Sequence, residues 1–196
     1  MRRLSVMLCT VVCTIVLSGC SEPPQREIDR AQGAIDAARA AGAEPYAPEA
    51  LAAATSALQQ SHEAVDQRDY RLALLRAVDA YDRAQDAARL AADGKARARS
   101  EAETAINAAN VALQQLETHL KAAEAARVPP RDVAQARRTA KDAAATLQKA
   151  RTLLGGGNYL KAAASVKGLQ APIRTQIDAV ERATAARTAR RPARRR

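Results

Sequence analysis

Apolar residues in this chain recur at alternating steps of three and four. That spacing restricts it to amphipathic helices packed along narrow, coiled-coil-like seams. Ile28, Ala31, Ile35 and Ala38 open the series, and Leu51, Ala54, Leu58, Ser61 and Val65 continue it. Next come Tyr70, Leu74, Ala77, Tyr81, Ala84, Ala88 and Ala91, in phase with Lys95, Ala98, Ala102, Ala105, Ala109, Ala112 and Leu116. A further run holds Val133, Ala136, Ala140, Ala143, Leu147, Ala150 and Leu154, and the last holds Val166, Leu169, Ile173, Ile177 and Val180. Alanine fills many of these positions. It has the best helix propensity but buries little area, and the chain has no Trp, no Phe and only 2% aromatic residues. The expected product is an elongated helical protein with a thin core, not a compact globule around a deep pocket.

The breaks between seams carry ordinary stop signals. Gly42 sits where the first helix should end, and Pro45 and Pro48 enclose Tyr46 in a turn. The second helix should end near Gln67-Arg68, with Asp69 as N-cap of a helix starting at Tyr70. Gly94 costs about 1 kcal/mol against alanine in a helix interior. The hydrophobic phase nevertheless holds across it, so one continuous helix is expected from Tyr70 to about Ala126, roughly 85 Å long. Pro129-Pro130 ends that helix, and Gly155-Gly156-Gly157 ends the next. Asn158 is then the expected N-cap of a last helix opening at Tyr159, which Pro172 should kink or bend. The segment Asp69-Tyr70-Arg71-Leu72-Ala73 has a counterpart in Asn158-Tyr159-Leu160-Lys161-Ala162, which reads as a duplicated hairpin.

The fold class expected is therefore all-α: an elongated antiparallel helical bundle or coiled coil of about five long helices. Two three-helix bundles, over 28–94 and 95–181, would share the long helix. Residues 20–27 would be a short tether stiffened by Pro23-Pro24, and 182–196 a disordered arginine-rich tail.

Charge is concentrated at one end. The formal net charge is +10, from 31 Lys and Arg against 21 Asp and Glu. Seven of the positives are Arg182, Arg187, Arg190, Arg191, Arg194, Arg195 and Arg196, with no acidic residue after Glu181. Setting these aside together with Arg2 and Arg3, residues 20–181 carry 22 − 21 = +1. Basic character thus belongs to the tail and not to a face of the body.

The first residues form a separate unit. Met1-Arg2-Arg3 precedes an apolar run from Leu4 to Leu17, and small residues follow. This is the layout of a secretory signal peptide over 1–19. The run holds 14 residues, short of the roughly 20 that a spanning helix needs. Cys9 and Cys13 lie inside it and would leave with it, so the mature chain would have no second cysteine for an internal disulfide.

Leu17-Ser18-Gly19-Cys20 resembles the lipobox of bacterial lipoproteins. The resemblance implies cleavage between Gly19 and Cys20, a diacylglycerol on the Cys20 sulfur, and further acylation (palmitate-type chains) of the new amine. Two or more acyl chains make anchoring stable, at about 0.8 kcal/mol per buried CH₂. Ser21 is not the aspartate that retains such proteins at an inner membrane. The implied address is the periplasmic face of the outer membrane, or the outer face of the plasma membrane in a Gram-positive source. A second resemblance rests on Glu44-Pro45-Tyr46-Ala47-Pro48-Glu49-Ala50-Leu51, followed by Asp69-Tyr70 and alanine-rich helix. It is similar to an uncharacterised family of alanine-rich helical lipoproteins, over Ile28 to about Ala92 and more weakly from Arg131. That family brings no known activity.

Catalytic and metal chemistry find little purchase. His62 and His119 are the only histidines, and a zinc site needs three or four converging ligands. No GxSxG, HExxH or P-loop pattern is present. Gly155-Gly156-Gly157 is a helix stop, because no Lys-Ser/Thr follows where a phosphate loop needs it. Tyr46, Tyr70, Tyr81 and Tyr159 read as turn and seam fillers. The expected function is a non-enzymatic, lipid-anchored envelope protein acting as spacer or docking surface for a protein or the cell wall, with no cofactor beyond the lipid on Cys20. The alternative is a polyanion-binding lipoprotein acting through its arginines on lipopolysaccharide, acidic lipid or a cell-wall polymer. Nucleic acid is not expected as a partner, since the lipobox implies export and no aromatic residue is interleaved for stacking.

Overall fold

The computed structural model describes residues 22–190. The signal segment, the lipobox Leu17, Ser18, Gly19 and Cys20, and the arginines at 191, 194, 195 and 196 lie outside the described residues. Among the described residues all regular structure is helical: α1 (Gln25–Ala40), the single-turn α2 (Ala43–Tyr46), α3 (Pro48–Asp66), α4 (Tyr70–Ala125), a 3₁₀ turn (Pro130–Val133), α5 (Ala134–Gly155), α6 (Tyr159–Val166) and α7 (Gln170–Ala189). The chain is an all-α helical bundle protein. It divides into two compact units, one ending at Asp93 and the other beginning at Gly94. The 56-residue α4 runs unbroken through Gly94 and contributes residues to the core of each unit.

In the first unit, α1 buries Ile28, Ala31, Ile35 and Ala38, the four seam residues expected. The chain turns at Gly42, whose φ of 95° suits a residue without Cβ. Pro45 falls inside α2, so the expected open turn around Tyr46 is instead one turn of helix. Pro48 then occupies the first turn of α3, where its missing N–H removes no helical bond. The seam of α4 here is Ala73, Ala77, Ala80, Ala84, Ala87 and Ala91, all at 0% exposure. The expected seam ran instead through Leu74, Tyr81 and Ala88; Leu74 is exposed, and Tyr81 and Ala88 pack at the edge. The reason is a close approach of backbones. The buried Ser61 hydroxyl on α3 donates to the Ala73 carbonyl at 2.8 Å, which leaves room for alanine in the seam and turns Leu74 outward.

In the second unit the seam gains bulk. Ile106, Leu113, Leu116 and Leu120 of α4 pack with Val133, Leu147, Ile173 and Val180. Ala105 and Ala112, expected in the seam, lie beside it, and the larger neighbours Ile106 and Leu113 take the centre. The expected bend at Pro172 takes the form of a gap: α6 stops at Val166, and α7 resumes at Gln170 with Pro172 in its first turn. The last helix then continues to Ala189, well past Arg182, so residues 182–189 are helical where a disordered tail was expected. Alanine and arginine, which dominate this stretch, are both strong helix formers.

The corner before α4 and the corner before α6 share one construction. Arg68 N–H donates to the Val65 carbonyl and Asp69 N–H to the Ala64 carbonyl; Gly157 and Asn158 repeat this onto Leu154 and Leu153. Both are Schellman turns with a left-handed residue, Arg68 at φ 60° and Gly157 at φ 76°. Asp69 caps α4 as expected, accepting from Leu72 N–H at 3.0 Å. Asn158 stands at the N-cap position, but its amide reaches back to the Gly156 carbonyl at 3.3 Å rather than capping α6.

Candidate functional site

The features that could carry function are surface features, because the described interior is apolar and satisfied. Ser61 is the one buried polar residue there. No buried side-chain nitrogen or oxygen among the described residues lacks a hydrogen-bond partner.

His62 is exposed on α3. His119 on α4 is half-buried, with Nε2 3.5 Å from Glu181 Oε1 on α7. The two histidines belong to different units, and neither joins a ligand cluster. Among the described residues no group of three or more His, Cys, Asp or Glu side chains is placed to hold a metal ion. A minority of the charges form exposed pairs along or between helices, such as Arg83 with Asp79 at 2.8 Å and Arg137 with Glu124 at 2.7 Å. Exposed pairs of this kind stabilise by about 0–1 kcal/mol each. A hydrogen bond from Arg99 Nε to Glu103 at 2.8 Å, followed by the carboxylate's charge, raises the Arg99 pKa above its ordinary value.

Of the arginines singled out in the sequence, Arg182, Arg187 and Arg190 are exposed at the end of α7. Arg182 Nε donates to the Asp178 carbonyl one turn earlier at 3.1 Å. No described helix is long and apolar enough to cross a membrane.

Hollows and an apolar ridge also mark the surface of the described residues. In the second unit, the gap between α6 and α7 leaves an open groove of about 810 Å³ against Ala105, Ala108 and Val111 of α4, with Lys167 and Arg174 at its rim. In the first unit, Arg30 of α1 lies over the Tyr81 ring at 4.1 Å, beside a shallow hollow of about 220 Å³. Along α4 next to that hollow runs an apolar ridge of Leu74, Leu75 and Val78, with Leu75 60% and Val78 46% exposed. The 3,4 periodicity hid this ridge, because Leu74 had been assigned to the core. The signal that could have revealed it is the choice between leucine and alanine in adjacent registers.

No family model matches the chain, and comparison with curated proteins and with solved structures gives no match. The resemblances at Leu17–Cys20, and at Glu44–Leu51 with Asp69-Tyr70 and the alanine-rich helix, rest on the amino-acid sequence alone.

Proposed function

We propose that this chain is a lipid-anchored protein of the bacterial cell envelope whose helical units serve as a spacer or docking scaffold, without catalysis. The observation that carries the reading is the sequence Leu17-Ser18-Gly19-Cys20 behind Arg2-Arg3 and a short apolar run. A thiol at this place supports attachment of diacylglycerol through a stable thioether. Ser21 supports an outer-membrane, periplasm-facing address in a Gram-negative source. Exposed leucine and valine on α4 support a surface that meets another molecule. Cells expressing the wild-type chain should incorporate labelled fatty acid into a processed form. Cys20→Ala should leave an unlabelled, uncleaved precursor, and equal labelling of the two would end the reading.

A second reading is favoured by the arginines after Glu181, of which Arg182, Arg187 and Arg190 are exposed on a helix with no following acidic residue. They would hold an anionic surface of lipopolysaccharide, acidic lipid or cell-wall polymer, at roughly 1 kcal/mol per arginine near such a surface. Binding of the chain to anionic vesicles should weaken as salt rises, and truncation after Glu181 should remove most of it. Undiminished binding by the truncated chain would place the interaction in the body.

A further inference from the structure

The ridge on α4 is more than a leak of hydrophobic surface, because its residues form a second seam. Arg71, Leu75, Val78 and Asp82 follow one another at steps of four, three and four, the spacing of a coiled-coil contact. Each lies two residues from a buried alanine, namely Ala73, Ala77, Ala80 or Ala84. Two residues are about half a turn of a 3.6-residue helix, so the second seam faces away from the buried alanines, with Val78 and Asp82 also edging the hollow against Glu27 and Arg30 of α1. All four residues are exposed.

The order of the four is self-complementary. A second copy of α4 laid antiparallel, centred between Arg76 and Ala77, sets Leu75 against Val78 and Arg71 against Asp82, each contact occurring twice. A parallel copy in register would set Arg71 against Arg71 and Asp82 against Asp82, which like-charge repulsion disfavours. Neither Arg71 nor Asp82 has an ion-pair partner among the described residues. The nearby Arg30 lies over Tyr81. Two-fold pairing through one patch is also the commonest way for a chain to meet its own copy.

We propose that the face Arg71, Leu75, Val78 and Asp82 is a homodimer contact, formed by two α4 helices crossing antiparallel. The contact is small beside the roughly 1,200–2,000 Å² of a stable protein interface, so the pair is weak in dilute solution. Tethering raises effective concentration without any new contact, and copies held in one membrane plane would pair far more readily. The contact itself does not depend on the anchor. It therefore survives if the lipobox reading fails, and it can fail while that reading stands.

The test uses the purified full-length chain in detergent at high concentration, with Cys9, Cys13 and Cys20 unchanged and the wild type as background. Leu75→Cys should give a covalent dimer with a short bifunctional thiol reagent, which bridges the three-residue offset between the two copies of position 75. Leu90→Cys, exposed on α4 but about 18 Å further along the helix than Val78, should stay at background. Adding Arg71→Asp or Val78→Asp to Leu75→Cys should drop the dimer to background. Adding Arg71→Asp together with Asp82→Arg should restore it. Cross-linking of Leu75→Cys at the level of Leu90→Cys overturns the proposal, as does a yield that Arg71→Asp leaves unchanged. In cells, adducts of Leu75→Cys with a different protein in place of a second copy also overturn it.

Discussion

The two units answer the same packing problem with opposite materials. In the first, α4 buries only alanines, from Ala73 to Ala91, keeps Tyr81 at the edge of the core, and sends Leu74, Leu75 and Val78 outward. In the second, the same helix presents Ile106, Leu113, Leu116 and Leu120. Each leucine in place of an alanine buries about three more carbons, worth roughly 2 kcal/mol at 0.8 kcal/mol per CH₂. The second core therefore draws on buried area. The first draws on closeness, with backbones near enough for the Ser61 hydroxyl to reach the Ala73 carbonyl. The difference teaches that alanine-rich helix does not imply one packing style, even within a single continuous helix.

Four substitutions test that contrast, in decreasing order of effect. Leu116→Ala, at a fully buried site of the second unit, should destabilise by about 2–5 kcal/mol through lost burial and the cavity left behind. Chemical denaturation measures the loss, and amide exchange should place it in residues after Gly94. A cost below 1 kcal/mol would mean that the second core collapses as easily as an alanine seam. Ala84→Leu makes the converse change in the first unit, where added methylenes have no space. It should cost about 1–3 kcal/mol, read as faster amide exchange in α1 and α3. A gain in stability there would show that the first seam is loose and not close.

The smallest effect compares the two corners. Arg68 holds in the first unit the left-handed conformation that Gly157 holds in the second, with the same pair of hydrogen bonds. Arg68→Gly removes a side-chain clash but also loosens the unfolded chain, so a gain of a few tenths to about 1 kcal/mol is expected. Gly157→Arg should cost about as much. Thermal melts of both variants check the pair, and equal signs would break the equivalence of the corners.

Much of this architecture is legible in the sequence for a physical reason. Helix positions follow from a 3,4 pattern and from Gly and Pro stops, which act locally. So the expected seam from Ile28 to Ala38 is the one buried, while the kink expected at Pro172 is a full break just before it, at residues 167–169. The register of α4 was not legible, because Ala77, Ala84 and Ala91 belong to two overlapping patterns. One continues through Leu74, Tyr81 and Ala88, the other through Ala73, Ala80 and Ala87. Choosing between them depends on how close the neighbouring helix comes, which no local rule contains. The helical state of residues 182–189 follows from the helix propensity of alanine and arginine, which the fading hydrophobic pattern of this stretch conceals. The ridge was missed for the same reason as the register, since a leucine assigned to the core cannot also be assigned to the surface.

The buried hydroxyl of Ser61 has a consequence beyond its one hydrogen bond. The alanine seam of α4 looks almost the same after a slide of seven positions, so it does little by itself to fix where Leu51 and Leu58 of α3 lie along it. Leucines and isoleucines of different shape remove that ambiguity in the second unit, but alanines do not. A single donor that must find a carbonyl does remove it, because every shifted alignment either buries the hydroxyl without a partner or moves it to a different one. A buried polar group fixing alignment at some expense of stability is known from coiled coils. Here it would act as a vernier mark on the alanine scale of α4, reinforcing the alignment that the short corner before Tyr70 begins.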